Sequence, residues 1–331
     1  MARYFIQRIL QFFLIIFIAN SLTFLLPRLI PGDPIEQVLT MKAASMGSQN
    51  YDIQEYVKIY REKFGLDRPL WVQYLNHWND LIRLDFGYSI NEFPTRVNTK
   101  IVAALPWTLG FMSVATILAF LLGSILGAIL GWPDSPKIFQ KIVPLLMGFS
   151  AIPFYLFGLA LIWIFAVKLR VLPPGGGFDP TLIMRFDLRT IGNIIKHAIL
   201  PSMALVLWGV GAWALQMRAM MTSVLGEDYI LFAYAKGLPP LQIFCKYAIR
   251  NAFLPQITNL AVSIGLIIGS SILIETVFSY PGIGNLTYTA ISNRDYFVIN
   301  GTVFVMIAAA ATSLLIVDLI YPLIDPRIRY Q

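Results

Sequence analysis

The stretch WTLGFMSVATILAFLLGSILGAILGWP, Trp107 to Pro133, contains no charged residue. About 20 apolar residues in a helix cross roughly 30 Å of hydrocarbon, so this run is long enough to span a bilayer. Five further stretches share the property: Ile9 to Pro27, Ile142 to Val167, Ala198 to Met217, Asn251 to Ile274 and Tyr296 to Val317. A backbone in lipid must satisfy its own hydrogen bonds, and uninterrupted runs of this length suit helices, not the short alternating strands of a barrel. The expected fold class is therefore all-α: a polytopic membrane protein with six transmembrane helices.

Composition agrees. Of 331 residues, 57% are apolar and 13% charged, against about 45–50% and about 25% in soluble globular chains. The net charge of +7 would suggest nucleic acid in a soluble protein. Here the basic residues sit mostly between apolar blocks and form no cluster of that kind, so no nucleic-acid partner is expected. Cys245 is the single cysteine, which excludes an internal disulfide and any Cys cluster for a metal. The first block follows Arg3 and Arg8, as a secretory signal would. It exceeds a usual signal core and leads into Pro27, Arg28 and Pro31 without a small-residue cleavage pattern, so it is expected to be retained. With the N-terminus in the cytoplasm, ten Lys or Arg residues fall on inner segments and six on the short outer ones. That bias puts both termini inside.

The chain divides into an N-terminal transmembrane helix (1–27), an extracytoplasmic loop with short helices (28–106) and a five-helix core (107–331). In the loop, Ile53, Tyr56, Val57 and Tyr60 recur at helical spacing, and Trp71, Tyr74, Leu75 and Trp78 repeat the pattern after Gly65 and Pro69. These aromatics suit the membrane interface or a docking surface, and equally an amphipathic helix on lipid headgroups. Pro173 to Gly177 reads as a turn with freely rotating glycines. It is no phosphate cradle, since no Lys and Ser/Thr pair follows.

Uphill transport needs an energy source. Glu275 and Asp318 end the fifth and sixth blocks and do not sit mid-span, so an ion relay has few stations. No G-x-x-x-x-G-K-[ST] is present to bind nucleotide. Driving energy is expected from a partner. Nor is there an H-E-x-x-H or a G-x-S-x-G, and His77 and His197 are the only histidines, so no catalytic residue and no metal site is assigned. Gly123, Gly127 and Gly131 at four-residue spacing, and Gly265 with Gly269, let helices approach closely. Packing within the bundle and a subunit or pathway surface both fit that device.

The inner connection 218–250 is the most informative. Asp228 can open a helix, Gly237 can close it in the left-handed region, and Pro239 with Pro240 forbids continuation. A second helix then runs from Leu241 toward Pro255. On the first, Tyr229, Phe232, Ala233 and Lys236 share a face at i, i+3, i+4 and i+7. An exposed aromatic knob reads as a docking element for a soluble partner or as a helix resting on lipid.

The run GEDYILFAYAKGLPPLQIFCKYAIRNAFLP, Gly226 to Pro255, resembles the cytoplasmic coupling motif of permeases in binding-protein-dependent ABC importers, in the peptide-type branch. GLDRPLWVQYLNHW (Gly65 to Trp78) and ETVFSYPGIGNL (Glu275 to Leu286) are similar to that branch too, and the likeness covers almost the whole chain. The resemblance implies a type I ABC importer permease architecture. It also implies a second, related permease, two ATPase subunits that bind ATP and Mg, an extracytoplasmic solute-binding protein, and a place in the cytoplasmic membrane. No cofactor would be bound by this chain itself. Glu227, Asp228, Tyr229, Phe232, Ala233, Ala235, Lys236, Gly237 and Leu238 would then form the ATPase-coupling knob. Gly237 and Ala233 match the motif's small positions, and Lys236 with Leu238 completes its AKGL. Leu231 departs from the glutamate of the wider superfamily, and Tyr234 from an arginine common in the branch.

A cargo path is expected along the fourth and fifth spans near Trp208, Trp213, Gly265 and Gly269. Its outer mouth would lie at Glu275, Tyr280, Pro281, Gly282 and Gly284. The function so implied is an ATP-driven permease subunit for oligopeptides or oligosaccharides. An ion-coupled secondary transporter and a membrane receptor or assembly factor are the competing classes.

Overall fold

A computed structural model describes residues 2–29, 32–45, 53–182, 185 and 187–324. Among these the chain is helical, with no strand beyond an isolated bridge between Tyr88 and Arg96. The helices are α1 (Ala2–Leu29), α2 (Pro34–Ser45), α3 (Ile53–Lys63), α4 (Leu70–Ile82), α5 (Val97–Gly131), α6 (Lys137–Gln140), α7 (Val143–Ala151), α8 (Phe154–Leu161), α9 (Leu188–Leu225), α10 (Asp228–Ala235), α11 (Pro240–Gln242), α12 (Ile249–Val277), α13 (Ile283–Ser292) and α14 (Tyr296–Ile324). Two π-helical pieces, Ile162–Lys168 and Ile243–Ala248, continue α8 and lead into α12.

Four helices, α1, α5, α9 and α14, are each long and apolar enough to cross a membrane. Two bent pairs complete six if each counts as one span: Lys137–Ala151 with Phe154–Lys168, bent by 95°, and Pro240–Ile267 with Gly269–Val277, bent by 63°. The third apolar block is thus not the continuous helix expected. It breaks at Ile152, whose ψ of 128° is extended, because the ring of Pro153 disfavours helical backbone in the residue before it. Conversely, the helix expected to stop near Pro255 continues as α12 to Val277, with Pro255 inside it. Asp318 lies within α14, not beyond its end, with Arg8 Nη1 3.4 Å away. The C-terminal Asp325, Arg327 and Arg329, which the sequence alone suggests as an interfacial anchor, lie outside the described residues.

The chain forms two compact units, Met1–Pro106 with Gly282–Gln331, and Trp107–Pro281. The first opens at the N-terminal helix and also takes in α13 and α14, which the sequence reading places in one core with residues 107–281. In this unit α1 and α14 run antiparallel. Tyr4 Oη donates to the Asp318 carbonyl at one end, and Tyr296 Oη donates to the Pro27 carbonyl at the other. The connection after α1 folds around its own small core of Ile35, Val38, Val57 and Ile90. Helix α4 lies along α1: Trp78 stacks on Phe17, Tyr74 and His77 meet Phe24, and Ser21 and Tyr74 hydroxyls are 2.7 Å apart. The aromatics of α4 therefore divide, with Tyr74 and Trp78 packed inward and Trp71 and Leu75 exposed. Asp295 caps α14 by accepting from Val298 N, and its other oxygen accepts from Ser89 Oγ and Asn91 N, tying the loop before α5 to that helix start.

In the second unit α9 is central, touching α7, α8 and α12. The glycine ladder of α5 faces it. A Cβ on Gly123 would fall 2.6 Å from Trp213 Cβ, one on Gly127 2.2 Å from the Ala214 carbonyl oxygen, and one on Gly131 2.6 Å from Met221 Cβ. The ladder packs within the bundle, at backbone-to-backbone distance. The main core joins Phe111, Met112, Leu161, Leu200, Ala204, Ile267, Ile274, Phe278 and Tyr280.

Candidate functional site

Three parts of the second unit hold the residues singled out by sequence. The first is the knob. Helix α10 opens at Asp228: Glu227 is its N-cap and Asp228 its first helical residue, where a carboxylate suits the positive end of the helix dipole. Its end is built as the sequence requires. Lys236 is the C-cap, Gly237 follows at φ +69°, Gly237 N donates to the Tyr234 carbonyl (2.9 Å), and Leu238 N donates to the Ala233 carbonyl (3.3 Å). This pair of bonds, with a left-handed residue between helix and proline, is a Schellman cap.

The faces of α10 differ from the expectation. Ala233 is not on the outer surface with Phe232. It is buried with Ile230 against Met217, Met221, Ile243 and Ala248, and Leu238 packs on the same cluster. A small residue is needed at 233 because the π-helical turn and α9 leave no room there. The exposed ridge is Asp228, Leu231, Phe232 and Ala235, at i, i+3, i+4 and i+7, with Leu231 70% and Phe232 68% exposed. Leu231, a departure from the family pattern, is thus central to the ridge. Tyr229 is held by a side-chain bond to Asn251, and partial burial raises its hydroxyl pKa. Lys236 is exposed.

The second part is a cleft of about 480 Å³ among α5, α8, α9 and α12. Trp208 and Trp213 are in its wall, and Trp213 stands edge-on to Phe120. Gly265 is buried and Gly269 is exposed, and neither lines the cleft. The polar lining was missed by sequence: Thr116, Gln216, Asn259, Ser263 and Ser270, facing the Trp208 and Phe154 rings. A signal was available, since Asn259, Ser263 and Ser270 recur at i, i+4 and i+11 along an apolar helix. None of the lining residues is ionisable.

The third part is the C-terminal end of α12. The residues expected to form a mouth are instead a packed knot. Glu275 is fully buried and accepts from Thr108 Oγ1 at 2.6 Å. Tyr280 lies between Trp107 and Phe111 with its N–H on the Glu275 carbonyl, and burial, helped by the Glu275 charge, pushes its hydroxyl pKa up to about 12. The glycines of Pro173 to Gly177 do not rotate freely here. Gly176 N donates to the Phe278 carbonyl (2.8 Å), a Cβ on Gly175 would meet that oxygen at 2.3 Å, and one on Gly177 would meet Pro281 at 2.7 Å. Gly175 is held against the Phe278 backbone, Gly176 takes a φ of +80°, and Gly177 is held against the rings of Pro281 and Trp107. In the other unit, Gly282 caps α13 and Gly284 is buried in its first turn.

A bundle of apolar helices with an uncharged polar cleft and a rigidly capped peg exposing an apolar ridge has the parts of a membrane transport subunit. The chain belongs to the family of inner membrane components of binding-protein-dependent transport systems: that family's model matches residues 120–330, and the model of its N-terminal part matches residues 1–111. It is 34% identical over 330 residues to the oligopeptide transport system permease protein AppB of Bacillus subtilis, covering 100% of both chains. The dipeptide transport system permease protein DppB of the same organism is 32% identical, with 99% of this chain and 98% of that one covered. The di/tripeptide transport system permease protein DppB of Pseudomonas aeruginosa is 31% identical, with 94% of each covered. The protein is a permease subunit of a binding-protein-dependent ABC importer, resident in the membrane, with type I architecture.

Proposed function

We propose that this subunit passes short peptides inward through the cleft walled by Trp208, Trp213, Phe154 and the amide and hydroxyl groups of α9 and α12, driven by ATPases that grip α10. The relatives similar along their whole length are named for peptide cargo. An uncharged wall of aromatic rings and hydrogen-bonding groups suits peptide backbones of varied side chain, because it pairs with amides and penalises no particular charge. An oligosaccharide offers similar groups and is the alternative cargo.

The assembly we infer has a second, related permease, two ATPase subunits carrying ATP and Mg on the inner side, and an extracytoplasmic binding protein that delivers cargo. Both termini are cytoplasmic in this reading, which puts α10 on the ATPase side. The chain itself supplies no catalytic group. ATP binding draws the ATPases together, and a stiff peg seated in each converts that closure into a tilt of the bundle.

The observation that carries the reading is the exposed Leu231–Phe232 ridge on a helix whose opposite face is buried. Cysteines at 231 and 232 are expected to cross-link to an ATPase subunit in the assembled importer, while one at buried Ile230 is not. Equal cross-linking at all three positions, or none, would contradict it.

A further inference from the structure

The first unit contains a polar cavity that transport through the second unit does not use. It has a volume of about 130 Å³ and is a partly open recess lined by α1, the turn after α3, α4, the loop after α4 and the start of α14. Its lining includes Arg28, His77, Asp80, Asp85 and Asn300, over the rings of Phe64, Phe86 and Phe297. Two of these side chains carry buried polar atoms without a partner. Asn300 is 8% exposed and its Oδ1 has no donor, and His77 Nε2 is likewise unpaired. A buried acceptor left unsatisfied costs about 1–3 kcal/mol, so each such atom calls for a ligand, an ion or a water.

Charge narrows the choice. Two carboxylates, Asp80 and Asp85, outnumber the single guanidinium of Arg28, and an anion is disfavoured. The guanidinium is also engaged: Arg28 Nη1 donates to the Phe24 carbonyl, Nε donates to Gln73 Oε1, and the group lies 3.6 Å from the Phe24 ring centroid. A metal ion is a poor fit, since no three metal-ligating side chains converge among the described residues. The remaining chemistry is a compact cation that donates several hydrogen bonds and tolerates aromatic walls. We propose that this cavity is a binding site for a primary ammonium group, with Asn300 Oδ1 and the Asp80 carboxylate as acceptors and the phenyl rings holding the carbon stem. A peptide's amino terminus and the headgroup of phosphatidylethanolamine both present this group.

The test uses the assembled importer in nanodiscs of phosphatidylcholine, with labelled methylammonium as probe. Saturable binding is expected, competed by diglycine but not by N-acetyl-diglycine if the source is soluble. If the source is lipid, binding is lost when phosphatidylethanolamine replaces part of the phosphatidylcholine. Tetramethylammonium, a cation without N–H donors, is expected not to compete. Asn300→Leu and Asp80→Asn should each weaken binding at least about tenfold, worth about 1.4 kcal/mol. Asp80 is exposed enough for its variant to fold even if the Asn300 variant does not assemble. Absence of saturable methylammonium binding to the unaltered importer, undiminished binding to Asp80→Asn, or equal competition by tetramethylammonium overturns the proposal and leaves the cavity to water.

Discussion

Replacing Gly237 tests the coupling reading with little ambiguity, because nothing lies within 4 Å of where its Cβ would stand. A side chain there meets no wall, and the whole cost is conformational. At φ +69° an L-residue pays about 1–2 kcal/mol, more when β-branched and less for Asn. The expected order of loss is Val, then Ala, then Asn, then Gly. A shift of about 1–2 kcal/mol changes the ratio of capped to frayed peg about 5–30-fold. Swinging a transporter from 1:99 to 99:1 takes about 5.5 kcal/mol, so the lost stiffness removes about a fifth to a third of that drive. In proteoliposomes holding the whole importer, peptide uptake per ATP hydrolysed should fall in this order while hydrolysis persists. Uptake per ATP that is unchanged in Gly237→Val, or that tracks side-chain size so that Asn is worse than Ala, would refute the argument.

The glycine ladder gives a second expectation. Gly127→Ala should cost about 1–3 kcal/mol by overpacking α5 on the α9 backbone, read as a lowered unfolding midpoint in detergent, whereas Gly110→Ala, with open space around it, should be neutral. Asp295→Ala removes the α14 cap and the bonds to Ser89 and Asn91, an expected loss of about 2–3 kcal/mol, and Asp295→Asn, which keeps an acceptor, should lose less. His77 makes stability depend on pH. Burial, with a smaller contribution from the Arg28 charge, lowers its pKa from 6.5 to about 4. The unfolded chain therefore takes up a proton first as pH falls. The stabilisation is complete above pH 6.5 and is lost between pH 6.5 and about 4. Allowing for partial exposure the effect is about 2 kcal/mol, seen as a difference in unfolding midpoints that His77→Gln abolishes.

The helical class and six apolar blocks were legible because lipid allows few backbone solutions, and the knob's end was legible because Gly237 and two prolines leave a single cap. What escaped the sequence depends on distant partners. Ala233 reads as surface until the π-helical turn at Ile243–Ala248 is seen beneath it. Gly175 to Gly177 read as a loose turn until Phe278 and Pro281 are seen against them. The glycines of α5 announce a close helix approach but not that α9 of the same chain makes it. Glu275 and Tyr280 lie where a mouth was expected, yet burial and the Thr108 bond make them a fixed knot. The polar stripe of the cleft has a helical period, hidden because it is thin within an apolar run.

Coupling through α10 is the claim on which the account stands. Vesicles containing this chain and its partner permease, with cargo and binding protein outside, measure it directly. No accumulation of peptide above the external concentration is expected without the ATPase subunits, and accumulation on their addition with ATP and Mg. Concentrative uptake in vesicles lacking any ATPase would contradict the account.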